Sequence, residues 1–366
     1  MTSSTDSQVR SFSYDMDNHP RMLMKRQGWT SAVATALLCF TSSQAMAQES
    51  WLHRWASRQP EIESRDGAEM MRLIQPLSES VEQSIIQVFS GGRIVAMGTI
   101  VSEDGYAITK FSELSAAPIS VRVPSGKKVP ARVSAVRPAN DLALLKLEGS
   151  EPDTWDIRPA NFETSEPQTG SFVITPDNDG NSIGIGTLGV GARHVGHRGR
   201  LGVTFYDGAT EPPIVQRVVP SSGAFDAGLQ DGDKILRING EQMQGSRSAI
   251  STLGRFYPGE VVELLILRGD DTIELAARMR DQAILMESKN DAKVNGPRNA
   301  RLSGFDQVIQ HDTVLAPNQC GGPILDSEGD VIGINIARAG RVVTYALPSA
   351  LINAEIVSML NEARRQ

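Results

Sequence analysis

Asn318-Gln319-Cys320-Gly321-Gly322-Pro323-Ile324-Leu325-Asp326-Ser327-Glu328-Gly329-Asp330-Val331-Ile332-Gly333-Ile334-Asn335 decides how this chain is read. Two short apolar runs, Gly322 to Leu325 and Val331 to Ile336, flank a polar turn, the pattern of paired strands. Cys320 opens a Gly-Gly turn before the first run, where a side chain would stand exposed. A thiol is a few per cent ionised at neutral pH unaided, so Cys320 is a candidate nucleophile. Val308-Ile309 and Val342 to Ala346 read as neighbouring strands. After Pro348 the pattern is helical: Leu351, Ile352, Ile356, Met359 and Leu360 share one face, and Arg364-Arg365 suits the helix end.

The N-terminal half has the same texture. Ile85 to Phe89, Arg93 to Val101, Tyr106 to Thr109, Val121 to Val123, Ala131 to Val136 and Leu142 to Leu147 are short strands at close spacing. An Asp104-Gly105 turn marks a hairpin, and the spacing predicts a small antiparallel barrel. Strands resume at Ser171 to Ile174 and Ile183 to Val190. Arg193 to Arg200 and Glu287 to Arg301 are polar and read as linker and loop. From Glu49 to about Leu77 the pattern is helical, closed by Pro76.

Composition narrows the class. The chain has 366 residues, 40% hydrophobic and 22% charged, which fits a turn-rich globular protein of two or three domains. The net charge of -7, with no long basic run, argues against a nucleic-acid partner. Met22 to Arg26 is a short basic start, Thr30 to Phe40 is an apolar run, and Ala45-Met46-Ala47 is a small-residue cleavage pattern. Together they predict a signal peptide, hence an exported, periplasmic or extracytoplasmic protein, with Met22 or Met24 as its true start. Cys39 would leave with that leader, so Cys320 would be the lone cysteine of the mature chain. The histidines lack ligand spacing and one cysteine cannot build a zinc cluster, so no metal and no cofactor are expected.

Three segments resemble the HtrA family of trypsin-like serine proteases. Gly98 to Thr109 is similar to the family stretch leading to "GYVVTNNHVV", which places Ser112 at the family's catalytic histidine. Asn140-Asp141-Leu142-Ala143-Leu144 is similar to the strand carrying the aspartate, at Asp141. Asn318 to Pro323 is similar to the "G-N-S-G-G-P" nucleophile turn, with Cys320 in place of serine and Asn318 in place of the oxyanion-hole glycine. Asp312 also holds a position that family members fill with aspartate, and Tyr345-Ala346-Leu347-Pro348 resembles the family's "FAIP". The segments keep the family's His, Asp, Ser order.

Between Asp141 and Cys320, Val218 to Leu236 resembles a PDZ domain, continued by Arg237-Ile238-Asn239-Gly240. Arg200-Leu201-Gly202-Val203 resembles the loop whose backbone N–H groups grip a peptide's C-terminal carboxylate, while the peptide adds as a strand. Arg198 or Arg200 would help attract that carboxylate. The fold implied is mainly β: a trypsin-like double β-barrel with a PDZ domain inserted in the second barrel and helical arms at both ends. The divisions expected are 1–47 leader and signal peptide, 48–79 helical arm, 80–150 first barrel, 151–196 and 282–350 the two parts of the second barrel, 197–281 PDZ domain, and 351–366 C-terminal helix. His194 and Glu287 mark the approximate joints of the insertion.

The chemistry of the carried-over positions is incomplete. A serine nucleophile needs a base, and the base needs an orienting carboxylate. The Ser112 hydroxyl is far too weak a base, which leaves Asp141 nothing to orient and a structural role with nearby backbone. Asn318 tolerates unusual backbone angles, so an oxyanion hole could survive. His53 lies in the helical arm, His194 and His197 in the linker, and His311 in the strand before the nucleophile turn, so none is an evident substitute base. The reading is an exported pseudoprotease that binds polypeptides or protein C-termini. The alternatives are an active endopeptidase using Cys320 and a thiol sensor. The resemblance also implies a homo-oligomer built through the N-terminal arm.

Overall fold

The computed structural model describes residues 67–365, except 150–151, 165–166 and 208–210. The expected leader, Cys39, His53 and most of the N-terminal arm lie outside the described residues. The described part of the arm is helix α1 (Ala68–Glu79). It does not stop at Pro76 as the sequence suggested. Proline removes its own N–H, but its carbonyl still accepts, here from the Ser80 N–H at 3.2 Å.

Six strands form the first barrel: β1 (Ile85–Ser90), β2 (Arg93–Ser102), β3 (Tyr106–Lys110), β4 (Ile119–Arg122), β5 (Lys128–Arg137) and β6 (Leu142–Leu147). They close in the order β1-β2-β3-β6-β5-β4. Ile86, Val88, Ile100, Ala107, Val121, Ala143 and Leu145 fill its interior, with Trp155 covering one end. Alternate residues on each strand supply this filling, because successive side chains point to opposite faces.

The second barrel takes its strands from two separate stretches. β7 (Phe172–Pro176) and β8 (Ser182–Val195) come first, and β17 (Phe305–His311), β18 (Pro323–Leu325), β19 (Val331–Gly340) and β20 (Val343–Pro348) come after a long excursion. The closed order is β17-β20-β19-β18-β7-β8. β8 runs five residues beyond the expected strand, so Arg193 and His194 lie in it and not in a linker. Arg193 lies over the Tyr345 ring at 5.5 Å and bonds Gln310 at 2.9 Å, which holds the polar strand end to its neighbours. Helix α6 (Ser349–Ala363) follows and buries Ile352, Ile356 and Met359 against both barrels' shared core. Among the described residues no helix is long and apolar enough to cross a membrane.

The excursion carries its own core, built on Leu201, Val215, Ile235, Ile238, Val262, Leu264 and Ile266. Its elements are β9 (Gly199–Arg200), β10 (Val203–Phe205), β11 (Val215–Val218), α2 (Gly223–Asp226), β12 (Lys234–Ile238), β13 (Glu241–Gln242), α3 (Ser246–Leu253), β14 (Val261–Arg268), β15 (Asp271–Arg278) and β16 (Arg280–Asp281). The strands pair as β10-β11, β13-β12-β14-β15 and β16-β9. The β9–β16 pair is the stem by which the excursion leaves and rejoins the barrel. A short helix, α4 (Gln282–Leu285), capped by the Asp281 side chain, opens the return stretch. Glu287 to Arg301 is not the continuous loop that its polarity suggested, since it holds helix α5 (Lys289–Asn295), capped by the Ser288 side chain.

Candidate functional site

The positions singled out in the sequence meet in a buried polar seam between the barrels. Asp141 follows a 3-10 turn at the mouth of β6 and takes the left-handed conformation, φ 58°. That turn aims its carboxylate at the end of β3. The Ser112 N–H donates to it at 2.7 Å and the Ser112 hydroxyl at 2.8 Å. Asp141 thus bonds the neighbouring backbone N–H and hydroxyl of Ser112, with no imidazole among its partners. Both residues are buried.

The sequence reading missed Lys110. Its side chain is fully buried, with the ammonium 3.4 Å from Asp141 and donating to the Ile336 carbonyl at 2.6 Å. Glu113 lies 4.0 Å away. A charge cannot be buried cheaply without partners, and here the buried Asp141 carboxylate is countered by the Lys110 ammonium. A lysine closing the otherwise apolar run Tyr106 to Ile108 was the available signal.

Cys320 does not stand exposed, contrary to the sequence expectation. It is completely buried, and burial pushes its thiol up to about 11 from 9.0, against the smaller pull of the Lys110 ammonium and the Arg338 backbone N–H. The reason is packing of the turn itself. Gly321 has φ 106°, and a side chain there would collide with the Met97 carbonyl of the first barrel. The Met97 N–H in turn donates to the Cys320 carbonyl at 2.9 Å. The nucleophile turn is thus stapled onto β2.

The oxyanion position also differs from expectation. Asn318 lies in an ordinary 3-10 turn, Pro317–Gln319, and not in an unusual conformation. That turn directs the Pro317 carbonyl at the Cys320 N–H, 3.4 Å away. Asn299, fully buried, donates to the same carbonyl at 3.0 Å and to Glu113 at 2.9 Å. An amide already facing a carbonyl is not free to stabilise a developing oxyanion.

Ser112 is covered by the excursion. Gly259 has φ 92°, and a Cβ there would lie 2.6 Å from the Ser112 Cβ. Arg278 donates to the Gly259 carbonyl at 2.7 Å and to the Ser112 carbonyl at 3.3 Å. Arg301, buried from the other side, lies over the Tyr257 ring at 4.4 Å and donates to the Pro138 and Ala139 carbonyls. The loop from Tyr257 to Glu260 is therefore seated on both the turn that holds Asp141 and the position of Ser112.

No described histidine reaches the seam as a base. His311 is buried and bonded to Thr313 at 2.9 Å and Asn335 at 2.8 Å; burial depresses it to about 4. His197 faces the Gly254 carbonyl at 3.1 Å and packs on Tyr257. Burial lowers its pKa as well. His194 is exposed on β8. Asp312 receives the Thr187 N–H at 2.7 Å, a structural role within the second barrel. No group of three metal-ligating side chains occurs among the described residues.

Away from the seam, Arg200, Leu201, Gly202 and Val203 line one side of a groove of about 440 Å³. Ile250 and Leu253 of α3 line the other. A family model described as "PDZ domain" matches residues 199–278. A probable periplasmic serine endoprotease DegP-like of Chlamydia muridarum is 27% identical over 157 residues, 40% of this chain and 31% of that protein. One from Marinomonas sp. is 24% identical over 278 residues, 53% of this chain and 59% of that protein. The probable membrane transporter protein MamO of Paramagnetospirillum magneticum is 31% identical over 157 residues, 39% of this chain and 24% of that protein. The chain thus spans less than two thirds of the length of these relatives. Among solved structures, the Rv3671c protease of M. tuberculosis in its active form aligns at TM-score 0.40 and 14% identity, over 82% of this chain and 91% of that one. With two closed six-stranded barrels and a PDZ domain matched at 199–278, this chain is similar to the DegP-like serine endoproteases over the part it shares with them.

Proposed function

We propose that this chain is an exported pseudoprotease that acts by binding polypeptides through its PDZ domain. The carrying observation is the sealed seam: Ser112 stands where a base is needed and is itself covered by Gly259 and Arg278. Three further features support the reading. The Cys320 thiol is buried and held protonated, its N–H faces the Pro317 carbonyl, and Lys110 is bound to the Ile336 carbonyl. A base must lie within hydrogen-bond reach of the proton it removes, and no described histidine does. The leader-like residues 22–47 and the periplasmic designation of the relatives support export.

The test is turnover of casein by the chain beginning at Gln48, beside its Cys320→Ala variant. The expected result is no cleavage by either. Cleavage by the parent chain that Cys320→Ala abolishes would establish a cysteine-type endopeptidase and end the pseudoprotease reading.

A further inference from the structure

We propose that His197 makes the seat of the PDZ domain on the barrels sensitive to acid. Its protonation lifts loop 257–260 off Ser112 and uncovers an apolar rim of the first barrel.

His197 stands where the stem, the PDZ domain and the second barrel's return chain meet. Both of its ring nitrogens are committed. Nε2 faces the Gly254 carbonyl, just past the end of α3, at 3.1 Å, and Nδ1 faces the Gly199 N–H of the stem at 3.2 Å. A carbonyl only accepts and an N–H only donates, so these bonds need the neutral ring with its proton on Nε2. A second proton has to sit on Nδ1, against the Gly199 N–H, and that bond is then lost. The packing leaves no slack: a Cβ on Gly199 would lie 2.2 Å from the Phe256 carbonyl oxygen and 2.8 Å from His197 Cε1.

The same ring holds the loop. Its centroid is 4.6 Å from that of Tyr257. Tyr257 fits against Gly304, φ 77°, where a Cβ would lie 2.7 Å from its ring, and the Arg301 guanidinium lies over it. Glu260 ties the loop into one turn, since its carboxylate accepts the Tyr257 N–H at 2.5 Å and its own N–H donates to the Tyr257 carbonyl at 3.2 Å. Gly259, within that turn, is the residue that covers Ser112. Freeing Tyr257 therefore frees the cover.

The groups around His197 favour its neutral form. Burial comes first and holds its pKa below the ordinary 6.5, followed by the cations of Arg301 on the return chain and Arg200 on β9. The Gly254 carbonyl and Asp281 on β16 pull the other way and do not prevail. Asp281 is already engaged, accepting from the Ala283 and Leu302 N–H groups and the Ser303 hydroxyl. Arg198, next in the chain, is a further exposed cation, and Arg255 of the loop is paired with Glu241 at 3.7 Å. Because the seated value is depressed, the contact contributes fully above pH 6.5 and is lost as pH falls through that lowered value. His197 is only partly buried, so a proton reaches it without unfolding either barrel.

What opens is apolar. Phe111, Leu114 and Val133 of the first barrel face Val261 of β14 across a cleft of about 410 Å³. The cleft also contains Gly259 and Arg278, the residues that close over Ser112. Lifting the loop widens it into an exposed apolar surface, the kind that marks an interaction site.

The experiment is hydrogen exchange read by mass spectrometry on the chain from Gln48 onward, near pH 7.5 and near pH 5, corrected for the chemical rate at each pH. His197→Gln and His311→Gln variants run beside the parent. In the parent, residues 111–114 and 254–260 should exchange about ten-fold faster at the lower pH, while β6 stays protected. The rise should persist in His311→Gln. It should vanish in His197→Gln, whose exchange is the same at both pH values whatever its level. An equal rise in His197→Gln would overturn the assignment to this histidine. No rise in the parent, or a rise that β6 shares, would overturn the opening itself.

Discussion

Replacing Lys110 by methionine tests whether the seam is held by charge. Lysine and methionine have similar stems, so the change removes the ammonium with little loss of volume. At 3.4 Å and an effective dielectric near 20, the gross attraction between Lys110 and Asp141 is about 5 kcal/mol. Desolvation of the lysine offsets part of that, and breaking one side of a buried pair costs about 3–5 kcal/mol. Asp141 keeps its two Ser112 bonds, which argues for the lower end. The Ile336 carbonyl loses its donor, adding about 1 kcal/mol. The expected loss is therefore about 3–4 kcal/mol. Asp141→Asn should cost about 3 kcal/mol by the same reasoning. The double variant should cost much less than the sum, with a coupling of at least about 1.5 kcal/mol. Trp155, buried at the end of the first barrel, reports the transition by its fluorescence in urea. Additivity of the two single changes to within about 0.5 kcal/mol would refute an electrostatic unit.

Four more outcomes follow from the structure. Ser112→His should leave casein uncleaved and lower stability by about 1–3 kcal/mol, because the imidazole must displace Gly259 and Arg278; restored proteolysis would show that the seat opens. Cys320 should resist iodoacetamide in the folded chain near pH 8 and label only in denaturant, since its thiol is buried and raised to about 11; rapid native labelling would contradict this. The same raised value means that the contribution of Cys320 to stability is full below pH 9 and is lost as pH rises toward 11. His311 has the opposite sign. Its value is depressed from 6.5 to about 4, so its contribution is present above 6.5 and is lost as pH falls toward 4. Urea midpoints measured across pH 4–7 should show that slope in the parent and a flatter one in His311→Gln.

The chain's one-dimensional pattern carried the architecture. Strand alternation, the Asp104-Gly105 and Gly321-Gly322 turns and the run from Val218 to Leu236 depend on local backbone preferences and on burial of one face. Such features are written residue by residue, so the barrels, the PDZ domain and the positions of Ser112, Asp141 and Cys320 were legible. One misreading fell where a tertiary contact outweighs local composition: Arg193 and His194 are polar, yet pairing with β17 keeps them in a strand. Another missed a local signal: residues 289–295 are largely polar, yet the Ser288 side chain caps them into a helix through the Asp291 N–H.

What Cys320 can do was decided only by tertiary structure. Its exposure depends on Met97, some two hundred residues earlier in the chain, and its neighbouring amide depends on a carbonyl that Asn299 holds in place. The cover over Ser112 comes from Gly259 and Arg278, which lie in a different domain. Reactivity follows from burial, electric field and the direction of nearby dipoles, and all three are set by atoms that the sequence separates and folding brings together.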